Sequence, residues 1–353
     1  MLIFDSHLDL AWNAVEWSRD LSNPVASIRK AEKEWEGVAR GSNTVSYFEM
    51  RRGCIGLCIA TILTRRIVSG FPPFVPYQTP GENYSRGLRQ LEHYHQMEKD
   101  GILTGIKSSE DLSVHLRRWL DSLPGENPPV GYILGMEGAE PLPEPDSIWD
   151  WKEKGLRVLG PVHYGENRYG FGTGFDRGFK PLGKQLLSEM EKAGIVLDVT
   201  HLSDRGIEEA LELYPGPVLA SHHNCRALVP GERQLTDEQI RRLAGRGAVI
   251  GVAMDAWMLE PDWEKGISVP SATLEDVVDH IDHICQLSGS VQHAGIGSDL
   301  DGGFGTEQCP ADVDTIADIG RIGEILAKRN YSQEEIEAVM YRNWVGFFEE
   351  ALT

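Results

Sequence analysis

Eight short apolar runs, separated by longer amphipathic segments, recur along the whole chain and constrain its fold more than any other feature. Parallel strands covered on both faces are expected to be continuously apolar rather than alternating. Repeated strand and helix units predict an α/β fold, and eight of them match a (β/α)8 TIM-like barrel. The predicted strands are Leu2 to His7, Cys54 to Leu63, Gly131 to Glu137, Leu156 to His163, Ile195 to His201, Pro217 to His222, Ala248 to Met254 and Ala294 to Asp299.

The segments between these runs predict helices, several of which have recognisable ends. Pro181 suits the first turn of a helix, and Ser203 and Thr236 suit N-caps. Ser332 with Glu335 three residues later is typical of a capping box before a last helix. The predicted helices are Glu82 to Asp100, Pro181 to Ala193, Ser203 to Leu213, Thr236 to Gly245, Leu274 to Leu287 and Ala311 to Lys328.

Charge and composition limit the partners and the compartment. The chain has 34 Lys and Arg against 54 Asp and Glu, and this charge of −20 disfavours nucleic acid or an anionic membrane as a partner. No run of about eighteen apolar residues predicts a membrane span, and the start shows no secretory signal. The five cysteines form no C-x-x-C pair, so neither a disulfide framework nor a thiolate zinc site is indicated. We expect a cytoplasmic protein with a single domain over residues 1–353.

Two irregular stretches interrupt the repeated unit. Gly70 to Gly81 is rich in Pro and aromatic residues, and Tyr164 to Phe179 is rich in Gly and aromatic residues. Both follow predicted strands on the side where barrel active sites lie, so both are candidates for pocket rims or lids. The alternative is that they pack over the barrel end or mediate subunit contacts.

Acidic and imidazole side chains stand at the carboxyl ends of the predicted strands. In a parallel barrel those ends converge on one rim. A buried strand has no packing reason to end in such a group, because burying it unpaired is costly. Imidazoles and carboxylates are ligands for divalent metals such as Zn2+. The residues are His7 and Asp9 at the first strand, Glu137 at the third, His163 at the fourth, His201 at the fifth, His222 at the sixth and Asp299 at the eighth.

The coincidence of several such residues on one rim favours a binuclear metal site, although each signal alone is weak. His7 and Asp9 are two residues apart and can share one side of an extended chain. Glu137 can bridge two ions about 3.5–4 Å apart, the separation typical of two-metal hydrolases. A single histidine at a strand end is more often a hydrogen-bonding residue. His280 and His283 are interpreted as part of a solvated acidic helix face and are left out of the site.

Seven short motifs follow one another from about residue 3 to about residue 348, and the ordered set is far more specific than any member. They are Asp5-Ser6-His7-Leu8-Asp9-Leu10, Gly135-Met136-Glu137-Gly138, Asp198-Val199-Thr200-His201, Ala220-Ser221-His222, Arg233-Gln234-Leu235-Thr236-Asp237, Gly297-Ser298-Asp299-Leu300-Asp301-Gly302 and Arg342-Asn343-Trp344-Val345-Gly346-Phe347-Phe348. This set resembles the renal or membrane dipeptidase family, peptidase family M19, within the amidohydrolase-like metal-dependent barrels.

The resemblance implies a zinc-dependent metallo-dipeptidase in which a hydroxide bridging two Zn2+ per chain attacks the peptide bond of dipeptides, L-Xaa-D-Xaa dipeptides among them. It assigns His7 and Asp9 to one zinc, His201 and His222 to the other, and Glu137 to both. It also suggests a homodimer.

The resemblance further assigns three roles in substrate binding and catalysis. His163 corresponds to the histidine that contacts the substrate carbonyl, Arg233 to the arginine that holds the substrate carboxylate, and Asp299 to the acid and base aspartate. Without the resemblance, Arg233 would be interpreted as a loop residue at the surface, and Asp299 as a turn or N-cap residue. The alternative function is a related metal-dependent amidohydrolase acting on N-acyl amino acids or another small amide or ester. A metal-binding scaffold without catalysis is a further alternative.

Overall fold

A parallel sheet rolled into a barrel forms the centre of the molecule. The computed structural model describes residues 1–35, 40–68, 73–123, 126 and 128–353. The strands are β1 Ile3–Leu8, β2 Ile55–Ile62, β3 Arg65–Ile67, β4 Phe74–Pro76, β5 Leu103–Gly105, β6 Val130–Glu137, β7 Leu156–Gly160, β8 Val196–Asp198, β9 Val218–Leu219, β10 Ile250–Val252 and β11 Ala294–Ile296. The sheet order is β10-β11-β1-β2-β6-β7-β8-β9, with β5 also paired to β6 and with β3 and β4 forming a separate antiparallel hairpin.

The two edges of this sheet meet at Ala220, directly after β9. The Ala220 N–H donates to the Val249 carbonyl at 3.1 Å, and the Gly251 N–H donates to the Ala220 carbonyl at 2.8 Å. These parallel contacts join β9 to β10, so eight parallel strands form a nearly closed barrel. Each of the eight predicted apolar runs contains one of them, which confirms the predicted (β/α)8 fold.

Helices surround the barrel and connect successive strands. The N-caps predicted at three of them are present: Ser203 accepts from the Gly206 N–H, and Thr236 and Ser332 each form a capping box. The prediction of one helix over Ala311 to Lys328 is wrong in its first part, where Thr315 caps a 3₁₀ turn at Ile316–Gly320 before the α-helix begins. The α-helices are α1 Leu10–Glu16, α2 Val25–Ala31, α3 Tyr47–Arg52, α4 Pro80–Lys99, α5 Ser109–Leu120, α6 Ile148–Glu153, α7 Pro181–Ala193, α8 Asp204–Leu213, α9 Asp237–Gly245, α10 Ala256–Leu259, α11 Leu274–Ser288, α12 Arg321–Lys328, α13 Gln333–Glu337 and α14 Asn343–Ala351.

The main hydrophobic core includes the strands and the inner faces of the helices. Strands β2 and β6 are buried at every position, which explains why their sequences are continuously apolar. At the amino-terminal end of β1, Phe4 packs against the tilted ring of Trp344 and stacks on Phe348, both of α14, with ring centroids 5.9 and 5.7 Å apart. None of the helices in the described part of the chain is long and apolar enough to cross a membrane. The single domain over residues 1–353 stays a prediction.

Candidate metal centre

The site residues predicted from the sequence lie together at the carboxyl ends of the barrel strands. Glu137, the last residue of β6, is the hub of the cluster. Its Oε1 lies 3.1 Å from Nε2 of His201, 3.5 Å from Nε2 of His222, 3.7 Å from Nε2 of His7 and 3.7 Å from Nε2 of His163. The barrel has therefore brought four distant imidazoles to one buried carboxylate.

Within this cluster, ligand atoms fall into overlapping groups of three, each with its atoms within 4.8 Å of one another. Two of the groups correspond to the two zinc sites that the family resemblance implies, and Glu137 is their common member. The third group brings Asp299 beside two of the imidazoles. The groups are His7, Asp9 and Glu137; Glu137, His201 and His222; and His7, His222 and Asp299.

Ser221 supports two of the imidazoles from behind. Its hydroxyl lies 2.9 Å from Nδ1 of His222 and 3.5 Å from Nδ1 of His7, and it donates its hydrogen to Oδ2 of Asp198 at 2.5 Å. A hydroxyl has one hydrogen to donate, so towards the imidazoles Ser221 acts as an acceptor for N–H groups on Nδ1. Both rings then present the lone pair of Nε2 to the centre, which is the tautomer a metal needs.

Two threonines support the remaining ligands in a similar way. Thr173 Oγ1 lies 2.9 Å from Nδ1 of His201, and Thr61 Oγ1 donates to Oδ1 of Asp9. The chain reaches Thr173 through Gly172, where a Cβ would lie 1.7 Å from the His163 carbonyl oxygen. Only glycine permits this close approach.

Three non-glycine residues at the same rim have left-handed backbones. His201 and Asp299 have left-handed backbones, with φ of 66° and 58°, and this conformation is uncommon for residues other than glycine. Asp301, also left-handed, accepts hydrogen bonds from the Thr44 N–H at 2.8 Å and from Nδ2 of Asn43 at 2.5 Å. These bonds hold the loop that carries Asp299.

The charges of the site fit a divalent cation. Burial raises the pKa of Asp9 to about 6, and burial together with the Asp9 charge raises the pKa of both Glu137 and Asp299 well above the usual range. Burial lowers the pKa of His7 to about 3, so its ring is neutral near pH 7. His7 Nε2 is also buried without a hydrogen-bond partner among the described residues. Crowded carboxylates and neutral imidazoles with free nitrogens form a donor set suited to zinc.

The guanidinium of Arg233 places a positive charge at the edge of the metal centre. Its side chain is buried, and its Nη2 donates to the His222 carbonyl at 3.0 Å and lies 3.5 Å from Nε2 of His201. Its Nη1 is buried and has no hydrogen-bond partner among the described residues. A guanidinium with an unused donor in this position is suited to hold an anionic group of a ligand.

The centre opens into a cavity of about 580 Å³. Both irregular stretches of the sequence contribute to its wall, Phe74 from the first and Tyr164 from the second. Phe74 packs edge-on against His163 with ring centroids 5.1 Å apart. The prediction that these stretches form a pocket rim therefore agrees with the structure, except that residues 70–72 lie outside the described residues.

Sequence reasoning missed several supporting residues and misplaced one histidine. Asp198 and Ser221 lie inside motifs that were recognised, but nothing in the motifs indicated their hydrogen bonding. Asp255 directly follows the predicted strand ending at Met254, so the rule applied to the other strand ends would have found it. The solvated face assigned to His280 is wrong, because His280 is buried and its Nδ1 accepts from the Cys225 N–H at 3.0 Å.

Comparisons with known proteins point to one family. The model of the membrane dipeptidase family, peptidase family M19, matches residues 1–353. Dipeptidase tcpJ of Claviceps purpurea is 29% identical over 226 residues, which cover 62% of this chain and 50% of that protein. An uncharacterized dipeptidase of Schizosaccharomyces pombe, C965.12, is 28% identical over 224 residues, which cover 62% of this chain and 52% of that protein. The match thus spans about half the length of these two relatives.

Solved structures show the same fold. A crystal structure of dipeptidase AC, a metallo peptidase of family M19, superposes with a TM-score of 0.79 at 24% identity and covers 100% of this chain and 99% of that one. A metallo peptidase from Rhodobacter sphaeroides, liganded with a phosphinate mimic of the dipeptide L-Ala-D-Ala, superposes with a TM-score of 0.79 at 23% identity, again over 100% of this chain and 99% of that one.

Proposed function

The chain belongs to the membrane dipeptidase family, peptidase family M19, and we propose that it is a metallo-dipeptidase that hydrolyses dipeptides with two zinc ions. The observation that carries this proposal is the pair of ligand groups that share Glu137 and lie in one cavity with the unused donor of Arg233. Such a cavity offers sites for two cations beside a site for an anion. A small acid with a hydrolysable bond next to its carboxylate matches that arrangement.

Five residues would hold the metal. His7 and Asp9 would bind one ion, His201 and His222 the other, and Glu137 both, in agreement with the two ligand groups. When bound, two divalent ions supply positive charge that lowers the pKa of water and polarises a carbonyl group. Ser221 and Thr173 would keep the ligand imidazoles in the required tautomer.

Three further residues would act on the substrate. Arg233 would hold the terminal carboxylate through its free Nη1. His163, whose Nε2 faces the cluster 3.7 Å from Glu137, would donate a hydrogen bond to the carbonyl oxygen as negative charge develops there. Asp299, whose Oδ1 lies 3.8 Å from Nε2 of His7, would take the proton of the attacking water and pass it to the leaving amine as the C–N bond breaks.

Metal analysis and a substrate panel test this proposal together. We expect two zinc ions per chain after loading, and turnover of L-Xaa-L-Xaa or L-Xaa-D-Xaa dipeptides in preference to N-acyl amino acids. Asp299→Asn should retain both ions and lose about 10²- to 10⁴-fold in kcat, the usual contribution of a general acid and base. Absence of dipeptide hydrolysis by the zinc-loaded protein would refute the function, and unchanged turnover by Asp299→Asn would refute the role of Asp299.

The preferred side chains of the substrate depend on the cavity wall rather than on the metal ligands. A cytoplasmic location and a homodimer stay predictions from the sequence.

A further inference from the structure

Asp255 is a buried carboxylate in the wall of the active-site cavity. It follows β10 directly, is 7% exposed and lines the same cavity as Arg233 and Asp299. Two neighbouring side chains hold the carboxylate by hydrogen bonds. Gln308 Nε2 donates to Oδ1 at 2.8 Å and to Oδ2 at 3.1 Å, and Trp257 Nε1 donates to Oδ2 at 2.6 Å. Two neutral donors thus hold a carboxylate, which has lone pairs left for a further partner.

Capping of a helix accounts for little of the role of Asp255. Asp255 occupies the N-cap position of α10, where an aspartate usually accepts from the first backbone N–H groups of the helix. Its side chain makes no well-formed capping hydrogen bond. Burial raises the pKa of Asp255 to about 6, and the nearby backbone N–H of Trp257 is the weakest of the groups that oppose this effect. The helix is also only four residues long, so capping it contributes little. Asp255 and the two residues that donate to its carboxylate, Trp257 and Gln308, all line the cavity.

Asp255 lacks the arginine partner that several buried acids of the described chain have. Glu32 and Asp301 have Arg19 within ion-pair distance, Glu49 has Arg52, and Glu140 has Arg65. Asp5 and Asp198 also form no ion pair with a described residue, but they do not line the cavity, and backbone N–H groups and a serine hydroxyl hold each of them. Acids at the metal centre would be neutralised by the ions. Asp255 forms no ion pair with a described residue. Lys265 lines the same cavity, and its charge partly opposes the effect of burial on the pKa of Asp255, but its side chain is exposed and forms no ion pair; its Nζ donates to the Gly303 carbonyl at 3.3 Å.

Burial disfavours the charged form of a carboxylate, and an asparagine at this position would avoid that penalty. A ligand that brings a positive charge would remove it. The cavity wall around Asp255 suits such a ligand, because the rings of Trp257, Trp263 and Tyr164 line it. Aromatic faces stabilise ammonium and guanidinium groups through cation–π attraction. Asp255 also lies close enough to the reacting end of the cavity for its charge to contribute, after burial and Asp9, to the raised pKa of Asp299.

We propose that Asp255 binds a cationic group of the substrate, an ammonium or guanidinium, and so selects the dipeptides that this enzyme accepts. The group is either the free amino terminus or the end of a basic side chain. With Arg233 holding the carboxylate, the cavity would then recognise both a negative and a positive end of the substrate. This inference rests on the proposed dipeptidase function, since it assigns the substrate class of the same site.

The test measures binding, so it does not depend on turnover. Non-hydrolysable phosphinic analogues of dipeptides are titrated into the zinc-loaded wild type and into Asp255→Asn by calorimetry. Four analogues suffice: a free amine with apolar side chains, its N-acetyl form, and a lysine analogue with its norleucine counterpart, both N-acetylated. We expect Asp255→Asn to weaken binding of a cationic analogue by about 10- to 100-fold, since a hydrogen bond to a charged group contributes about 1.5–3 kcal/mol.

The analogue that loses affinity identifies the source of the cation. Selective weakening of the free-amine analogue assigns the amino terminus, and selective weakening of the lysine analogue assigns the side chain. Glu264→Gln is the matched control, because it removes an exposed acid from the same loop region outside the cavity lining. Asp255→Ala serves as a second variant if the asparagine variant folds poorly.

Two results would overturn the inference. In the first, the Asp255 variants bind all four analogues with affinities within twofold of wild type. In the second, the wild type binds each cationic analogue no more tightly than its uncharged counterpart. Failure of the proposed function is distinguishable, because a wild-type protein that binds the analogues but cleaves no dipeptide refutes hydrolysis alone.

Discussion

Replacing Ser221 by alanine removes one hydroxyl and affects both predicted metal sites. In the native structure this hydroxyl accepts from Nδ1 of His222 at 2.9 Å and lies 3.5 Å from Nδ1 of His7, while it donates to Asp198 at 2.5 Å. In Ser221→Ala the two rings lose the acceptor that selects the Nδ1–H tautomer. In a fraction of the molecules, each ring then carries its proton on Nε2, where the proton prevents metal binding.

The expected loss in zinc affinity is about 10- to 100-fold, the usual effect of removing a partner behind a metal-bound histidine. Most of it should appear at the site of His222, because its contact at 2.9 Å is a hydrogen bond and the 3.5 Å contact of His7 is at the limit. The metal-free protein should also lose about 1–3 kcal/mol of stability, because Asp198 is left with an unfilled buried acceptor.

Competition with a chromophoric chelator measures the affinity, and thermal unfolding of the metal-free protein measures the stability. Ser6→Ala is the matched control. Ser6 is an equally buried serine on β1, and its hydrogen-bond partners among the described residues are the carbonyls of Ser221 and Ile296, at 2.6 and 2.9 Å. It should lower stability while zinc affinity stays near wild type. If Ser221→Ala binds both zinc ions as tightly as Ser6→Ala does, the tautomer reasoning is refuted.

Two other predictions concern substrate binding and acid stability. Arg233→Lys keeps the charge but loses the planar pair of donors, so KM should rise by about 10- to 100-fold with a smaller change in kcat; a change confined to kcat would contradict a carboxylate-binding role. Burial, with a smaller effect of His283, lowers the pKa of His280 to about 3 from its ordinary 6.5. Between these two pH values the unfolded chain is protonated at His280 and the folded chain is not, so the free energy of unfolding decreases as the pH falls from 6.5 towards 3. His280→Asn keeps an acceptor for the Cys225 N–H without titrating. Denaturant unfolding at pH 7 and pH 4.5 should show that this variant loses less stability than wild type, by up to about 1.4 kcal/mol per pH unit, and an equal loss would show that His280 does not contribute.

The sequence alone determined the barrel and the identity of the residues at its rim. Both are local properties. A strand buried on two faces must be apolar throughout, as in β2 and β6, and a polar residue where such a strand ends can be recognised without knowing what lies opposite. The same reasoning placed Glu137, His201 and His222 at one rim, because parallel strands in a barrel all end on the same side.

The tertiary structure decided which atoms meet and which groups lack a partner. Ser221 reaches His7 across 214 positions of sequence, and Asp255 meets Gln308 across 53. Such contacts depend on the stagger of the strands and on the paths of the loops, which are set by packing of the whole chain rather than by local pattern. Among the described residues, Nη1 of Arg233 has no hydrogen-bond partner and Asp255 forms no ion pair. Neither fact could be predicted from the sequence, because both depend on the folded surroundings of the side chain.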